Sequence, residues 1–586
     1  MAGLLKNKFI YENDRLDFSR SLFSYEKRHS TNLLSGMIVP VHHQFLYPGD
    51  SPDYNFGCVI ESAPLISTCL DNIYVDIITI WTPCRLVMTD WNEFLGESNS
   101  TAFTINRNIT IPKITTVKTG VDTHYGTDQA ISRAYLADQM LGPHIGYRLF
   151  GSLTNHQFTP VGGSAVSIPT DSKFYKGINI LPSRVYDLNW NVFFRNENVQ
   201  TPILISKTST VSGTDNNYEY GLGHLHMANK LKSWFTNLTP APSLLDVSIG
   251  LGETLSVGVP NPGDTLDFVK NNGGVPTNGD IKLIGSSTTF RSLADSAGSG
   301  LIPYNLVADT ANLTVNRMYY ALMEQRFANK MMKGRRAVEF YANFFGVQHS
   351  DAGYDLPKLL CQKRYPLNIS QVISTTAGSD GTDSNPLGQR GAFSTTGFGD
   401  SLVKNFLATE HGYLMTYMII RGQPSISEGV DAELGIDALL DTYIPEFDHI
   451  GPVGVETLEV VGPKSNTMLG FTNAWYSERN PVSDCAGIVC PGEPLEYKTL
   501  AIDYNHLGGT SLVISDYYLK HWPTFIDRIF LYPVCYGTST GPGQTTFNYM
   551  GEAFLSNRYQ FITQFVVKGK IAKVMSPDSE PLKLRL

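Results

Sequence analysis

The chain has 586 residues, of which 42% are hydrophobic and 17% charged, with a formal net charge of -9. The length is ample for a large core, and a charge fraction below the ordinary ~25% implies that partners cover much of the polar-looking surface. The acidic balance excludes a protein that holds nucleic acid by bulk electrostatics, because neutralising phosphate needs a basic surface; only a local basic patch is compatible with it.

Seven cysteines (Cys58, Cys69, Cys84, Cys361, Cys485, Cys490, Cys535) are an odd number without regular spacing, which predicts no disulfide framework and a reducing compartment. The start, MAGLLKNKFIYENDRLDF, lacks the apolar run of a signal peptide. No stretch approaches the roughly 18 apolar residues of a spanning helix, so no membrane insertion is expected.

Taken in chain order, residues 1–35 read as an N-terminal arm, with six basic against four acidic residues in the first 30. Strand-like runs follow at 37–47 and 73–88, and again towards the other end at 411–422, 458–463, 528–536 and 559–569. They are rich in Ile, Val, Tyr and Thr and are bounded by Gly, Pro or Asn, the composition of a pleated, half-buried surface. Between them, apolar periodicity predicts helices at 129–140, 183–198, 314–333, 335–345 and 431–442. Strands, then helices and loops, then strands do not alternate as βαβ units. The order points to a β-sandwich with long insertions and with early strands paired to late ones. Residues 374–401 are nearly all turn formers and read as a surface excursion. Residues 243–312 contain ten Gly, three aromatics and seven acidic against three basic residues, too little apolar matter for a core of their own; TLSVGVP (254–260) and DIKLIGSS (280–287) are their strand-like pieces.

The helix in LPSRVYDLNWNVFFRNENVQ (181–200) is apolar on several sides: Val185, Leu188 and Val192 form one stripe, while Trp190, Phe193 and Phe194 lie on others. Such a helix must be buried nearly all round. Trp91, Trp190, Phe193, Phe194, Tyr319 and Phe327 are the expected core or interface anchors.

Little here points to catalysis. GTSTG (537–541) matches G-x-S-x-G, but Pro542 and Gly543 follow at once, where a nucleophile elbow would start a helix; a plain loop is expected. His224 and His226 are half of a metal site at most, with no Cys or carboxylate at ligand spacing. Cys485 and Cys490 do not form C-x-x-C and read as ordinary buried thiols. Lys330, Lys333, Arg335 and Arg336 gather around Gly334, and either solvate a helix C-terminus or contact phosphate. Lys568, Lys570 and Lys573 in the C-terminal stretch VVKGKIAKVMSPDSEPLKLRL are further candidates for nucleic-acid contact. No cofactor or metal is expected.

Five stretches together resemble the major capsid protein family of the Microviridae (the F/VP1 family), more closely its gokushovirus-like members than the bullaviruses. They are SLFSYEKRHSTNLLSGMIVPVHHQFLYPGDS (21–51), VDIITIWTPCRLVMTDWNEFLGE (75–97), LPSRVYDLNWNVFFRNENVQ (181–200), VNRMYYALMEQRFANKMMKGRRAVEFYANFFGVQHSDAGYDLPKLL (315–360) and HGYLMTYMIIRG (411–422). The resemblance implies an all-β core: an eight-stranded antiparallel jelly roll spanning 36–586, with long, partly helical insertions at about 120–350 and 425–525. By position, 243–312 matches the insertion that forms a threefold surface protrusion. It further implies self-assembly into a 60-subunit T=1 icosahedral shell around a circular single-stranded DNA genome. A small basic DNA-binding protein, a DNA pilot or minor virion protein, and a bacterial receptor bound through the protrusion are the implied partners. The expected location is the virion, assembled in the bacterial cytoplasm, and neighbouring subunits would complete the burial of the 181–200 helix. The sequence departs from the family pattern in 243–312 and at SDCAGIVCPGE (483–493). The rival reading is a carbohydrate-binding or carbohydrate-active β-sandwich, which would need a convergent acid pair or an exposed aromatic platform.

Overall fold

The computed structural model describes residues 20–97, 108–114, 140–147, 177–211, 222–233, 355–367, 394–445, 452–462, 468–479, 483–502, 519–531 and 559–575, with shorter pieces between them. Eight strands form the sandwich: β1 (Ser21–Leu33), β2 (Val39–Leu46), β3 (Ser51–Ser62), β4 (Ile73–Pro83), β5 (Lys358–Pro366), β6 (Ser394–Val403), β7 (Gly412–Gly422) and β8 (Phe561–Lys573). They make two antiparallel four-stranded sheets, β1-β8-β3-β6 and β5-β4-β7-β2. Successive strands alternate between the sheets except β4 and β5, which pair with each other, and the last strand inserts between the first and the third: the jelly-roll order. The sandwich read from the sequence and the jelly roll implied by the resemblance therefore both hold. Residues 21–33 of the expected arm are the first strand of the barrel, paired along their whole length from Ser21↔Lys573 to Leu33↔Phe561.

Aromatic rings stack within the β1-β8-β3-β6 sheet and, through Tyr365 and Phe398, between the two sheets. Tyr25 of β1 stacks on Tyr54 of β3 at 4.7 Å, Phe56 stacks on Phe565 of β8 at 5.4 Å, and Tyr365 of β5 stacks on Phe398 of β6 at 4.6 Å. Ring pairs at such separations add to the burial energy itself. Thr79 and Thr416, opposed across β4 and β7, satisfy one another at 3.1 Å in a fully buried position.

At the β1–β2 edge the packing is polar. The Tyr25 hydroxyl lies 2.9 Å from His42 Nε2, Lys27 Nζ donates to the His43 carbonyl (2.9 Å), and His29 Nε2 is 3.2 Å from Nδ1 of His144. Burial holds the imidazoles of His29 and His43 down at about 4 and lowers Lys27 to about 8; the Lys27 charge lowers both imidazoles further.

Four sequence expectations are overturned. Residues 431–442 form two short 3-10 turns, Ala432–Gly435 and Leu439–Asp441, instead of one helix. The Asp441 carboxylate accepts from the backbone N–H of Asp437 and Ala438 (3.1 and 2.8 Å), local bonding that competes with a helix, and Leu434 and Leu439 have no core to cover them. The run at 458–463 is a single helical turn, Leu458–Val461, stopped by Gly462 at φ 71. Within 528–536, Cys535 and Tyr536 belong to a strand, Cys535–Ser539, residues 532–534 lie outside the described residues, and a helical turn, Thr524–Asp527, precedes the segment. The end of the turn-rich 374–401 contributes most of β6, whereas 374–389 lie outside the described residues. The glycines of β6 allow close approach: a Cβ on Gly399 would sit 2.9 Å from the Phe56 carbonyl oxygen.

The long connections are 84–357, after β4, and 423–560, after β7. The chain divides into two compact units, one of residues 1–243 with 351–586 and the other of residues 244–350. The second contains an antiparallel four-stranded meander of Leu266–Asn271, Pro276–Leu283, Leu293–Asp295 and Leu301–Ile302. The strand expected at 280–287 is thus Pro276–Leu283, and 254–260 lies outside the described residues. So do the expected helix at 314–333 and that at 129–140 but for Met140, which forms a β-bridge with His224; of 335–345, Glu339, Ala342, Phe344 and Phe345 are described and helical.

Candidate interaction surfaces

The 181–200 segment forms helix α1, Leu181–Asn189, continued by a wider turn over Trp190–Phe194 in which Arg195 N donates to the Trp190 carbonyl (3.0 Å). It starts two residues earlier and stops four earlier than the periodicity predicts. Pro182 sits in the first turn, where its missing N–H costs nothing, and the Asn179 carboxamide oxygen accepts from Leu181 N (2.8 Å). Ser183 does not cap the helix; its hydroxyl donates to the Leu222 carbonyl (2.6 Å).

The subunit itself buries most of this helix, while Leu188, Val192, Phe193 and Phe194 keep part of their surface exposed. It lies against the outer face of the β5-β4-β7-β2 sheet: Asn189 Oδ1 accepts from Thr82 of β4 (2.8 Å), its Nδ2 donates to Tyr417 of β7 (2.7 Å), and Phe194 meets the Tyr417 ring edge-on at 5.6 Å. Trp190 packs beside His226 at 5.2 Å and is 7% exposed; Phe193 and Phe194 are partly buried against the same core.

The two charges of the helix are internal as well. Arg184, with no exposed surface, forks onto Asp215 (Nε to Oδ1 3.1 Å, second nitrogen to Oδ2 2.8 Å) and donates to the carbonyls of Thr208 and Val87. Asp187 accepts from the Tyr218 hydroxyl (2.6 Å) and pairs with His226 Nε2 (2.7 Å). Sequence reasoning missed this network, although a signal existed: a charge three residues from another on a helix apolar all round has to be buried and paired.

A second buried charge, Asp76 of β4, takes Arg364 from β5 (Nε to Oδ1 2.6 Å) and Arg421 from β7, and Arg421 also donates to the Asn229 carbonyl (2.9 Å). These bonds join neighbouring strands to the covering insertion. Trp91, 5% exposed, packs on Phe94 and edge-on to His411.

The outer face of the β1-β8-β3-β6 sheet is open. Burial alternates residue by residue along β1, β3 and β8. Register sets Glu26, Lys568 and Asn55 in one row across three strands and Ser24, Lys570 and Asp53 in the next. Arg28 donates to Glu26 (2.7 Å), with Lys568 Nζ 3.7 Å from the same carboxylate; the Arg28 bond and the Lys568 charge lower the pKa of Glu26. Exposed apolar side chains, Leu22, Val59 and Ile562, lie on the same face. It is thus a mixed-charge ladder, on which a polyanion would compete with Glu26 for Arg28 and Lys568. Lys573 falls outside it, at the end of the inward-facing series, with Nζ 3.9 Å from Asp50. Lys330, Lys333, Arg335, Arg336, Tyr319 and Phe327 lie outside the described residues.

The connection after β7 exposes Leu434, Ile436, Leu439 and Tyr443 within a dozen residues. Nearby, a cavity of about 360 Å³ is lined by residues that include Ile426, Glu459, Tyr476 and Cys485. Cys485 and Cys490 are half-buried and face one another, so they are not a pair of ordinary buried thiols. The strand Cys535–Ser539 pairs antiparallel with Thr545–Tyr549, so Ser539 leads into a hairpin rather than the strand-to-helix turn of a nucleophile elbow. No group of three metal-ligating side chains occurs among the described residues, and none of their helices is long and apolar enough to cross a membrane.

Comparison with known proteins gives one consistent result. A family model described as capsid protein (F protein) matches residues 15–159 and 164–549. Capsid protein VP1 of Spiroplasma virus 4 is 26% identical over 80% of this chain and 83% of its own length. Capsid protein VP1 of Bdellovibrio phage phiMH2K is 26% identical over 77% and 78%, and that of Chlamydia phage 1 is 21% identical over 86% of each.

Proposed function

The chain belongs to the phage capsid F-protein family, and from that premise we propose that it is the major capsid protein whose 60 copies close a T=1 icosahedral shell around a circular single-stranded DNA genome. As a family of structural proteins it displaces the carbohydrate-active alternative. The observation that supports the proposal is the unequal treatment of the two sheets: the central strands β4 and β7 of one are buried on both sides by the chain itself, while the other presents an open face to whatever the shell encloses or contacts. Subunits whose cores are complete before assembly then join through contacts of modest size, typically about 1,200–2,000 Å² each, under a closed symmetry that prevents runaway growth. The exposed Leu434, Ile436, Leu439 and Tyr443 are suited to such a contact.

A formal charge of -9 per copy opposes DNA, so packaging calls on a small basic virion protein, with a pilot or minor protein as a further component. Within the capsid protein, Lys568 and Lys570 on the open sheet, Lys573, and the Lys330, Lys333, Arg335 and Arg336 group are the proposed phosphate contacts. Residues 243–312, acidic and rich in glycine, are proposed as the threefold protrusion that meets a bacterial receptor; assembly takes place in the host cytoplasm.

Negative-stain imaging and size-exclusion chromatography of the expressed protein test the core of this reading. Closed particles of megadalton size are expected; monomers or dimers alone, under conditions that support the virus, overturn it. Replacing 243–312 with a short Gly-Ser linker should leave particles that no longer adsorb to cells, whereas loss of assembly would make the segment a shell contact.

A further inference from the structure

In SDCAGIVCPGE (483–493) the structure brings two thiols together. Cys485 Sγ and Cys490 Sγ are 3.5 Å apart, and the Cys490 thiol donates to the Cys485 carbonyl oxygen (3.3 Å). The backbone holds them in this arrangement from three sides. Cys485 N donates to the Ile426 carbonyl (3.0 Å), Cys490 N to the Gly487 carbonyl (3.1 Å), and Thr499 Oγ1 to the Val489 carbonyl (2.7 Å). Gly487 turns the intervening loop at φ 79, a left-handed conformation that other residues rarely adopt. The flanking Ser483, Asp484, Ala486, Gly487 and Ile488 are exposed, so a small reagent reaches both sulfurs. Cys58, Cys84 and Cys361, by contrast, are buried.

We propose that Cys485 and Cys490 are a redox site: they form an intrachain disulfide when the protein meets an oxidising medium containing low-molecular-weight disulfides, and this bond locks one wall of the adjoining cavity. The sulfurs need to close from 3.5 Å to the ~2.0 Å of a disulfide, a movement a short loop of exposed residues can make. The oxidant is a small disulfide such as oxidised glutathione. The Cys490 thiolate, its proton lost to solvent, attacks one sulfur and expels one glutathione thiolate. The Cys485 thiolate then attacks the Cys490 sulfur of the mixed disulfide and expels the second. Two cysteine thiols lose two electrons and two protons, and one glutathione disulfide becomes two glutathione thiols. Burial, followed by the neighbouring Cys490 thiol, pushes the Cys485 pKa up to about 12. The first attack therefore falls to Cys490, and closure is slow at neutral pH and faster in base. The chemistry is independent of the capsid reading; only its physiological occasion, passage of a particle from a reducing cell to the medium outside, rests on that reading.

The test is to incubate the full-length protein with oxidised glutathione at pH 8, with dithiothreitol as the reduced control. It is then denatured, alkylated with N-ethylmaleimide, digested and analysed by mass spectrometry. The expected product is the peptide containing both cysteines, two hydrogens lighter and carrying no maleimide, with at least a tenfold loss of the doubly alkylated form relative to the control. Cys485→Ser should abolish the linkage and leave Cys490 carrying maleimide or glutathione. Persistence of the doubly alkylated peptide after a small control dithiol has oxidised fully would overturn the proposal. Linkage of either cysteine to Cys69 or to a second chain, or a stable mixed disulfide at Cys490 in the unsubstituted protein, would do the same.

Discussion

The two sheets of the barrel share a core and a backbone pattern but differ in how many faces they hide. In the β5-β4-β7-β2 sheet, the central strands β4 and β7 are buried at nearly every position, because α1 and the chain at 222–231 cover the side turned away from the sandwich. In the other sheet, β1, β3 and β8 alternate between hidden and exposed side chains. Coverage on both sides demands continuous apolar strands with any charge paired, whereas coverage on one side demands only period-2 alternation. The insertions therefore act as a third layer of the fold on one side of the barrel, and the open sheet is where substitutions are free to serve other partners.

The sharpest way to break this comparison is at the third layer's buried ion pair. Arg184→Ala should destabilise the subunit by about 3–5 kcal/mol in denaturant unfolding, because Asp215 is left charged and dry. A loss below about 1 kcal/mol would mean the layer is peripheral to the fold. Substituting both partners, as in Arg184→Met with Asp215→Leu, should recover much of that loss.

Acid comes next. His29 and His43 are held near 4 against an ordinary imidazole near 6.5, so the unfolded chain binds more protons between those values. Stability is full above about pH 6.5 and falls as the pH drops towards 4, by about 2 kcal/mol per imidazole between pH 7 and 5. Lys27 acts in a different window: held at about 8, it destabilises the fold while it must stay charged, and that penalty eases only as the pH rises from 8 towards 10.5. Melting temperature followed from pH 8 to 4.5 checks the acid limb, which His29→Gln with His43→Gln should flatten.

Trp190→Ala should cost about 3 kcal/mol, at the low end for a buried Trp, because its Nε1 bond to the Met227 carbonyl is long at 3.4 Å. Unchanged melting temperature and particle yield would contradict the covered side of the comparison. On the open sheet, Lys568→Gln should shift stability by no more than about 0.5 kcal/mol. It should instead lower the DNA content of purified particles, read from their absorbance at 260 and 280 nm; unchanged content would assign Lys568 to its ion pair with Glu26 alone.

The same asymmetry explains what the sequence made legible. The strands β4 and β7 stand out because IYVDIITIWTP and GYLMTYMIIRG are nearly continuous apolar runs, and Phe561, Phe565 and Val567 mark β8. The strand β1, SLFSYEKRHSTNL, hides its signal because its inward side carries Lys27 and His29 beside Phe23 and Tyr25, an edge whose polar partners lie on β2 and at His144. The strand β6 looks like a loop because glycines supply its close approach to β3. Of the candidate residues, Trp91 and Trp190 were recognisable from size and spacing alone. The Arg184–Asp215 and Asp187–His226 pairs were not, since their partners lie in irregular chain whose position no local pattern specifies. That Lys573 would part company with Lys568 and Lys570 follows from strand parity, visible only once the register is fixed.

Barrel closure also has a timetable. The strand β8 lies between β1 and β3 and pairs with both, Ser21 with Lys573 and Ser62 with Phe561, so the open sheet lacks its second strand until the ribosome has passed residue 573. At roughly 5–20 residues per second, β1 and β3 wait about half a minute to two minutes with their hydrogen-bonding edges unmatched, exposed to pairing with other nascent chains. A chain stopped short of 561 should therefore aggregate through β1 and β3 rather than enter a shell, so completion of translation itself selects which subunits are competent to assemble.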